Sequence, residues 1–301
     1  MPYSQSLTRS ASNSRSQWRT IKSKCFRGLC YGATGVGLLI LAVILYSLLT
    51  KGLHGLHWST FTESMPSPGG EGGLANAIVG SLMISLVGIA IAIPIGLLAG
   101  TWLSEYGKNS KLADTIRFLN GMLMSSPSIL IGLFIYEIFV QPFGGFSGWA
   151  GAIALAIIAL PMIISTTEEM LKLVPKTIRE AGAGIGLPKW RVTLSLSYRS
   201  VGAGILTGIL LSFARISGET APLLFTALNN TFMSFNMNGP MANLPVTIYR
   251  LAMSPYDSWN DLAWTGALII TVAILFLNII SRFLPAWLAK FAQRKSAKQN
   301  G

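Results

Sequence analysis

Arg215 and Glu219 stand inside a long apolar run, Val201 to Phe225, in the stretch Phe213-Ala214-Arg215-Ile216-Ser217-Gly218-Glu219-Thr220-Ala221-Pro222. The run has the length of a membrane span, and an arginine near the centre of such a helix costs about 2.5–3.5 kcal/mol. A chain that keeps this charge gives it a partner or a water-filled path. A guanidinium offers paired N–H donors that fit a tetrahedral oxyanion. Residues four apart on a helix share a face and can pair. Glu219 is therefore expected to neutralise Arg215 when no anion is present, and its repulsion keeps anion binding weak enough for release. Gly218 and Pro222 weaken the helix here, because Pro222 has no N–H for the carbonyl of Gly218. Broken helices at membrane depth are tolerated where they line a cavity. At the helical rise, Arg215 lies roughly 21 Å along from Val201, past the middle of the membrane. The competing reading is a structural ion pair with another subunit's helix.

A second set of residues lies between the fourth and fifth apolar runs. Thr166 to Glu169 reads as a capping box that opens a helix extending the fourth run, and Pro175 suits the first turn of a new helix. Val174, Ile178, Ala181 and Ile185 fall on one face of that helix, with Lys176, Arg179 and Glu180 opposite. Gly186 suits the left-handed residue that ends a helix, and Pro188 opens the next. The loop is expected to present an amphipathic knob, which serves either as a surface helix on lipid headgroups or as a docking element for a cytoplasmic protein.

Other reactive residue types carry less. His54 and His57 form His-x-x-His beside Trp58, but a metal site needs a third ligand and a supporting shell, so they read as interface residues. Glu137 reads as a helix-end carboxylate. Ser125, Ser126 and Ser128 flank Pro127 and are expected to satisfy the backbone groups that the proline frees. Cys25 and Cys30 give a weak metal signal and stay reduced if the basic segment around them is cytosolic. No Gly-x4-Gly-Lys-Ser/Thr loop occurs, so no ATPase is expected in this chain, nor any enzyme activity of its own.

The elements that must position these residues are membrane helices. Of the 301 residues 51% are hydrophobic and only 11% are charged, whereas a soluble domain carries about a quarter charged residues. Six apolar runs are near or above span length: Leu29–Leu49, Leu74–Leu103, Phe118–Val140, Trp149–Ser165, Val201–Phe225 and Leu262–Leu284. The net charge of +12 would suit nucleic acid, but the basic residues fall in short blocks between these runs. One side collects Arg9, Arg15, Arg19, Lys22, Lys24 and Arg27, then Lys108, Lys111 and Arg117. It also collects Lys172, Lys176, Arg179, Lys189, Arg191 and Arg199, then Arg282, Lys290, Arg294, Lys295 and Lys298. The other side has Lys51 and Arg250. The positive-inside rule puts both termini in the cytoplasm. Residues 1–28 read as a basic, disordered tail, 29–50 as the first span rather than a cleaved signal, 74–284 as a five-span core, and 285–301 as a cytoplasmic tail. Gly28 with Gly32, and Gly204 with Gly208, have the spacing of close helix contacts.

The stretch Arg179-Glu180-Ala181-Gly182-Ala183-Gly184-Ile185-Gly186 resembles the Glu-Ala-Ala…Gly signature of ABC-importer permeases. Gly182 replaces the second alanine, and Leu196-Ser197-Tyr198-Arg199 stands where the family has Ile-x-Leu-Pro. The stretch from Gly208 to Leu228 resembles the fifth span of the phosphate-importing members. So do Leu244-Pro245-Val246-Thr247-Ile248-Tyr249 with Ala252-Met253-Ser254-Pro255, and Pro94 to Tyr106 resembles the family's second span. The likeness runs from about Leu74 to Arg282. It implies an all-α type I importer permease of six spans. Arg179, Glu180, Ala181 and Gly186 would then lie in a coupling helix that contacts the ATPase, and Arg215 and Glu219 on the substrate path. It also implies a second permease, two cytoplasmic ATPase subunits and an external phosphate-binding protein, with no cofactor, metal or nucleic acid. A permease for molybdate or sulfate, and a stand-alone secondary transporter or channel, are the alternatives. The latter often carries an inverted repeat, and no second Arg-x3-Glu segment occurs.

Overall fold

The structure, a computed structural model, describes residues 4–67, 70, 72–107 and 110–299, with side chains from 18 to 283. Lys108 lies outside the described residues, as do the side chains of Arg9, Arg15, Lys290, Arg294, Lys295 and Lys298. The chain divides into two units, Met1–Lys51 and Gly52–Gly301. Helix α1 spans Ser4–His54, so the basic stretch read as a tail continues into the first apolar run as helix. From Trp18 to Tyr46 every side chain is exposed.

After the single turn α2 (Ser59–Thr62), α3 (Ala75–Thr101) runs on into a π-helical turn, Trp102–Tyr106, giving one apolar helix of 32 residues. Helices α4 (Lys111–Ser125) and α5 (Ser128–Ile135, extended by a π turn to Val140) meet at 103°. The third run was expected as one helix from Phe118 to Val140. It is instead broken at Pro127, which lacks an N–H and pushes Ser126 into an extended conformation, ψ 136°. Ser125 Oγ donates to the carbonyls of Gly121 and Met122, whereas the Leu123 carbonyl, four residues before the proline, accepts from the Ser126 backbone N–H and not from a serine hydroxyl as expected. Counting this bent pair as one span, the described residues hold six candidate membrane spans, and they contain no strand.

Helix α6 (Gly148–Lys172) is continuous, so the Thr166–Glu169 box opens no helix. Thr166 is instead packed against Gly208 of the fifth run. Then follow α7 (Lys176–Gly184), α8 (Lys189–Val192) with a π turn to Ser197, α9 (Tyr198–Ile216), α10 (Ala221–Thr226), α11 (Leu244–Ala252) and α12 (Asp257–Gln299).

The core of the second unit is the α3–α6 contact. Gly88, Ala92, Gly96 and Gly100 recur every four residues along α3. A Cβ on Gly96 would stand 2.6 Å from Ile163 Cγ2, and one on Gly100 would stand 2.7 Å from the Ile164 carbonyl. Small residues let the two backbones approach, so packing replaces the hydrophobic drive that lipid removes. Ile84, Leu155, Ala159, Ile163, Ile216 and Leu223 fill the same buried cluster. Gly204 and Gly208 bring α9 against Met170 and Thr166 of α6, the close contact their spacing predicts, whereas Gly28 and Gly32 meet nothing within 4 Å.

The segment between α10 and α11 has no regular structure and is pinned by buried asparagines. Asn76 donates to the carbonyls of Asn230 and Thr231 and accepts from the Met65 N–H. Asn243 caps α11 by accepting from the Val246 N–H and donates to the carbonyl of Leu228, whose φ is 56°. These amides pair backbone carbonyls that have no helical partner, at the ends of a segment whose middle, 231–236, is largely exposed.

Candidate functional site

The fifth run does not form one helix, and this changes the relation of its two charges. Helix α9 ends at Ile216, and the chain turns through Ser217–Thr220 before α10 begins. Gly218 N–H donates to the Arg215 carbonyl and Glu219 N–H to that of Ile216, while Ser217 donates both its N–H and its hydroxyl to Phe213. Pro222 lies in the first turn of α10, where its missing N–H costs nothing. Arg215 thus occupies the last turn of α9 and Glu219 the non-helical turn beyond it. The expected i, i+4 ion pair is absent, and neither side chain makes an ion pair or a hydrogen bond among the described residues. Arg215 is exposed and Glu219 half-buried.

Phe213 and Ser217, one helical turn apart, line an apolar cleft of about 290 Å³ with Ser81, Ser85, Ile270 and Ile274. Arg215 sits midway between them in sequence, about 200° around the helix from each, and so faces away from this cleft. The guanidinium stands on a face of α9 that this chain leaves uncovered.

The second break adjoins the first. A Cβ on Gly132 of α5 would lie 2.6 Å from Pro222 Cα, so the short helices that follow the two breaks touch through their backbones.

The loop between the fourth and fifth runs has the predicted geometry of short helix, glycine corner and returning helix. Gly186 has φ 79°, the left-handed region, and Pro188 precedes α8. The inward face differs from the expected one. Val174 is buried, Ile178 half-buried, and Gly182 is buried against Val192 and Leu196, whereas Ala181 is exposed and Ile185 is 77% exposed. The close approach of the returning helix decides the phase, because at position 182 only a hydrogen fits beside Val192, 2.8 Å from a would-be Cβ.

Arg179 was expected on the polar face with Lys176 and Glu180. It turns inward instead. Its Nη2 donates to Glu105 Oε1 at 2.8 Å and to the Leu171 carbonyl at 2.7 Å, and its Nη1 donates to the Val174 carbonyl at 2.7 Å. Glu105 lies in the π turn that ends α3, and its side chain is only 3% exposed. Lys189 Nζ donates to the Glu105 carbonyl and stands 4.3 Å from the Tyr106 ring centre. A second node lies beside it. Arg117 donates to Glu168 Oε1 at 2.8 Å and to the Leu103 carbonyl, and it pairs with Asp114, while Lys172 also reaches Glu168. Glu180, Ala181, Ile185 and Gly186 are left on the exposed side of the knob.

Sequence reasoning missed Glu105 and Glu168 as partners. The available signal was a carboxylate at the end of an apolar run, but nothing local names an arginine 74 positions away. His54 and His57 line a cleft of about 450 Å³ with Ser258 and Asp261, and no group of three or more metal-binding side chains forms among the described residues.

Residues 92–294 match the family model described as "Binding-protein-dependent transport system inner membrane component". The chain belongs to this family. It is 54% identical over 275 residues to the "Phosphate transport system permease protein PstA" of Pasteurella multocida (strain Pm70), covering 91% of this chain and 98% of that one. The protein of the same name from Haemophilus influenzae is 52% identical over 270 residues, covering 90% and 96%. The "Probable phosphate transport system permease protein PstA" of Methanocaldococcus jannaschii is 36% identical over 272 residues, covering 88% and 94%. Among solved structures, an inward-facing MetNI methionine ABC transporter shares the fold, with a TM-score of 0.57 at 16% identity over 72% of this chain and 94% of that one. As members of this family do, the chain lies in a membrane through several helices and leaves ATP hydrolysis to another subunit.

Proposed function

We propose that this chain is a permease subunit of an ATP-driven importer of inorganic phosphate. The observation that carries the reading is the 54% identity, along 91% of the chain, to a phosphate transport permease. In this reading a second, different permease completes the path. Two ATPase subunits act from the cytoplasm, and an external binding protein delivers phosphate. Residues 74–284 are the permease core. The segments 1–28 and 285–301 are cytoplasmic extensions, in keeping with the basic residues collected on that side. Glu180, Ala181, Ile185 and Gly186 form the surface that meets the ATPase.

Arg215 acts in this scheme as a free guanidinium, not as half of an internal pair. Its exposed face of α9 meets the second permease across the path, where it binds the passing oxyanion through two N–H donors. Glu219, half-buried in the turn beyond, repels the anion and keeps the site weak. Closure of the ATPase pair moves α7, and the spans alternate between outward and inward opening. ATP shifts this equilibrium only through contacts that differ between the two states.

The test is uptake of radiolabelled phosphate by the complete complex in proteoliposomes, with ATP inside and the binding protein outside. The expected result is ATP-dependent uptake that unlabelled phosphate suppresses and equal concentrations of sulfate or molybdate do not. Uptake by this chain alone, without ATP, would sink the reading.

A further inference from the structure

Both flanks of the knob converge on one short stretch, Glu105–Tyr106. Arg179, before the glycine corner, holds the Glu105 carboxylate. Lys189, after the corner, holds the Glu105 carbonyl and covers the Tyr106 ring. The remaining N–H donors of Arg179 reach the carbonyls of Leu171 and Val174, at and just past the end of α6, where terminal carbonyls lack helical partners. One guanidinium therefore bonds the ends of α3 and α6 while belonging to α7.

Capping alone does not account for this arrangement. Arg179 does cap the carbonyls of the buried residues Leu171 and Val174, but such a cap needs no carboxylate. Glu105 is nearly fully buried with Arg179 as its ion-pair partner, and a planar fork of donors is what can serve the carboxylate and two carbonyls together. Arg117 extends the same body by bonding Leu103 of the π turn and Glu168 of α6.

We propose that Arg179 is a positioning residue that locks α7 to the ends of α3 and α6 through Glu105, so that a stroke applied to the knob is delivered to the second and fourth spans as one rigid movement. Arg179 thereby acts inside the permease and not on the ATPase surface. The inference rests on the reading of α7 as the ATPase contact. Motion of a packed element reaches a distant site only if the intervening contacts do not slip, and this clasp is the contact that would slip first, since α7 is otherwise held by few buried side chains.

The experiment measures ATP hydrolysed per phosphate delivered by the reconstituted complex, with assembly followed by co-purification. E105Q keeps the shape of the side chain and leaves the Arg179 bonds to Leu171 and Val174 available. R179Q removes the fork, and R179K keeps a charge that can reach Glu105 alone. In E105Q and R179Q the ratio rises about fivefold or more, with R179K between them and wild type. The E105Q/R179Q double variant is no worse than R179Q, because E105Q removes the charge and R179Q the donors of one link. E105Q at the wild-type ratio overturns the inference alone. So does failure of E105Q to assemble, which would assign the pair to folding. A wild-type complex without ATP-driven phosphate uptake overturns the transport reading, and this inference with it.

Discussion

Gly132 of α5 and Pro222 of α10 touch through their backbones, with only 2.6 Å between a would-be Cβ on the glycine and the proline Cα. Each residue begins just past a break in its own span, Gly132 after the 103° bend at Pro127 and Pro222 after the turn at Ser217–Thr220. The two irregular stretches of the membrane core are thus braced against each other.

That contact leaves no room for a methyl group. Gly132→Ala should force α5 and α10 apart and destabilise the complex by about 1–3 kcal/mol, as overpacking does. Thermal unfolding of the detergent-purified complex, with uptake measured on the same preparation, checks this. An unchanged melting temperature would show that the two short helices separate freely.

Arg215 and Glu219 should act independently. Arg215→Ala and Glu219→Gln each abolish phosphate uptake while the complex still co-purifies, because Arg215 is exposed and neither side chain has a partner to strand among the described residues. The double variant is not rescued. Recovery of uptake in the double variant relative to Arg215→Ala would mean that the two charges pair during the cycle.

The corner at Gly186 has a left-handed backbone, φ 79°. A β-branched residue there is strained by about 1–2 kcal/mol or more, whereas asparagine tolerates the region. Gly186→Val should raise the ATP consumed per phosphate imported, and Gly186→Asn should stay close to wild type. Equal ratios for the two variants would remove the backbone requirement from the coupling role.

Asn243 both caps α11 and ties it to the Leu228 carbonyl while fully buried. Asn243→Ala loses the cap, about 1 kcal/mol, and removes the donor to the half-buried Leu228 carbonyl, about 0.5–1.5 kcal/mol more. The purified complex should melt several degrees lower. Faster proteolysis within 227–243 would locate the loss.

Features that depend on neighbours in the chain were legible before any fold was known. Gly186 and Pro188 announce a corner because a left-handed turn and a helix start are local backbone events. The four-residue glycine spacing marks a close contact at 204 and 208 but none at 28 and 32, because the neighbouring helix is chosen by the fold. Spacing and structure part where a periodic pattern crosses a break in the helix. Arg215 and Glu219 obey the helical spacing, but the helix stops between them. The apolar face of α7 was assigned by counting, and the actual phase was set by Val192 and Leu196 pressing on Gly182.

Apolar run length and the placing of basic residues were enough to establish a multi-span helical membrane protein, because the cost of burying charge and bare backbone in hydrocarbon constrains every stretch separately. The partner of each buried charge was a matter for the folded chain. Arg179 finds Glu105 across 74 residues only when the first turn of α7 meets the ends of α3 and α6. Composition prescribes that such a charge must be satisfied, and three-dimensional packing chooses the group that satisfies it.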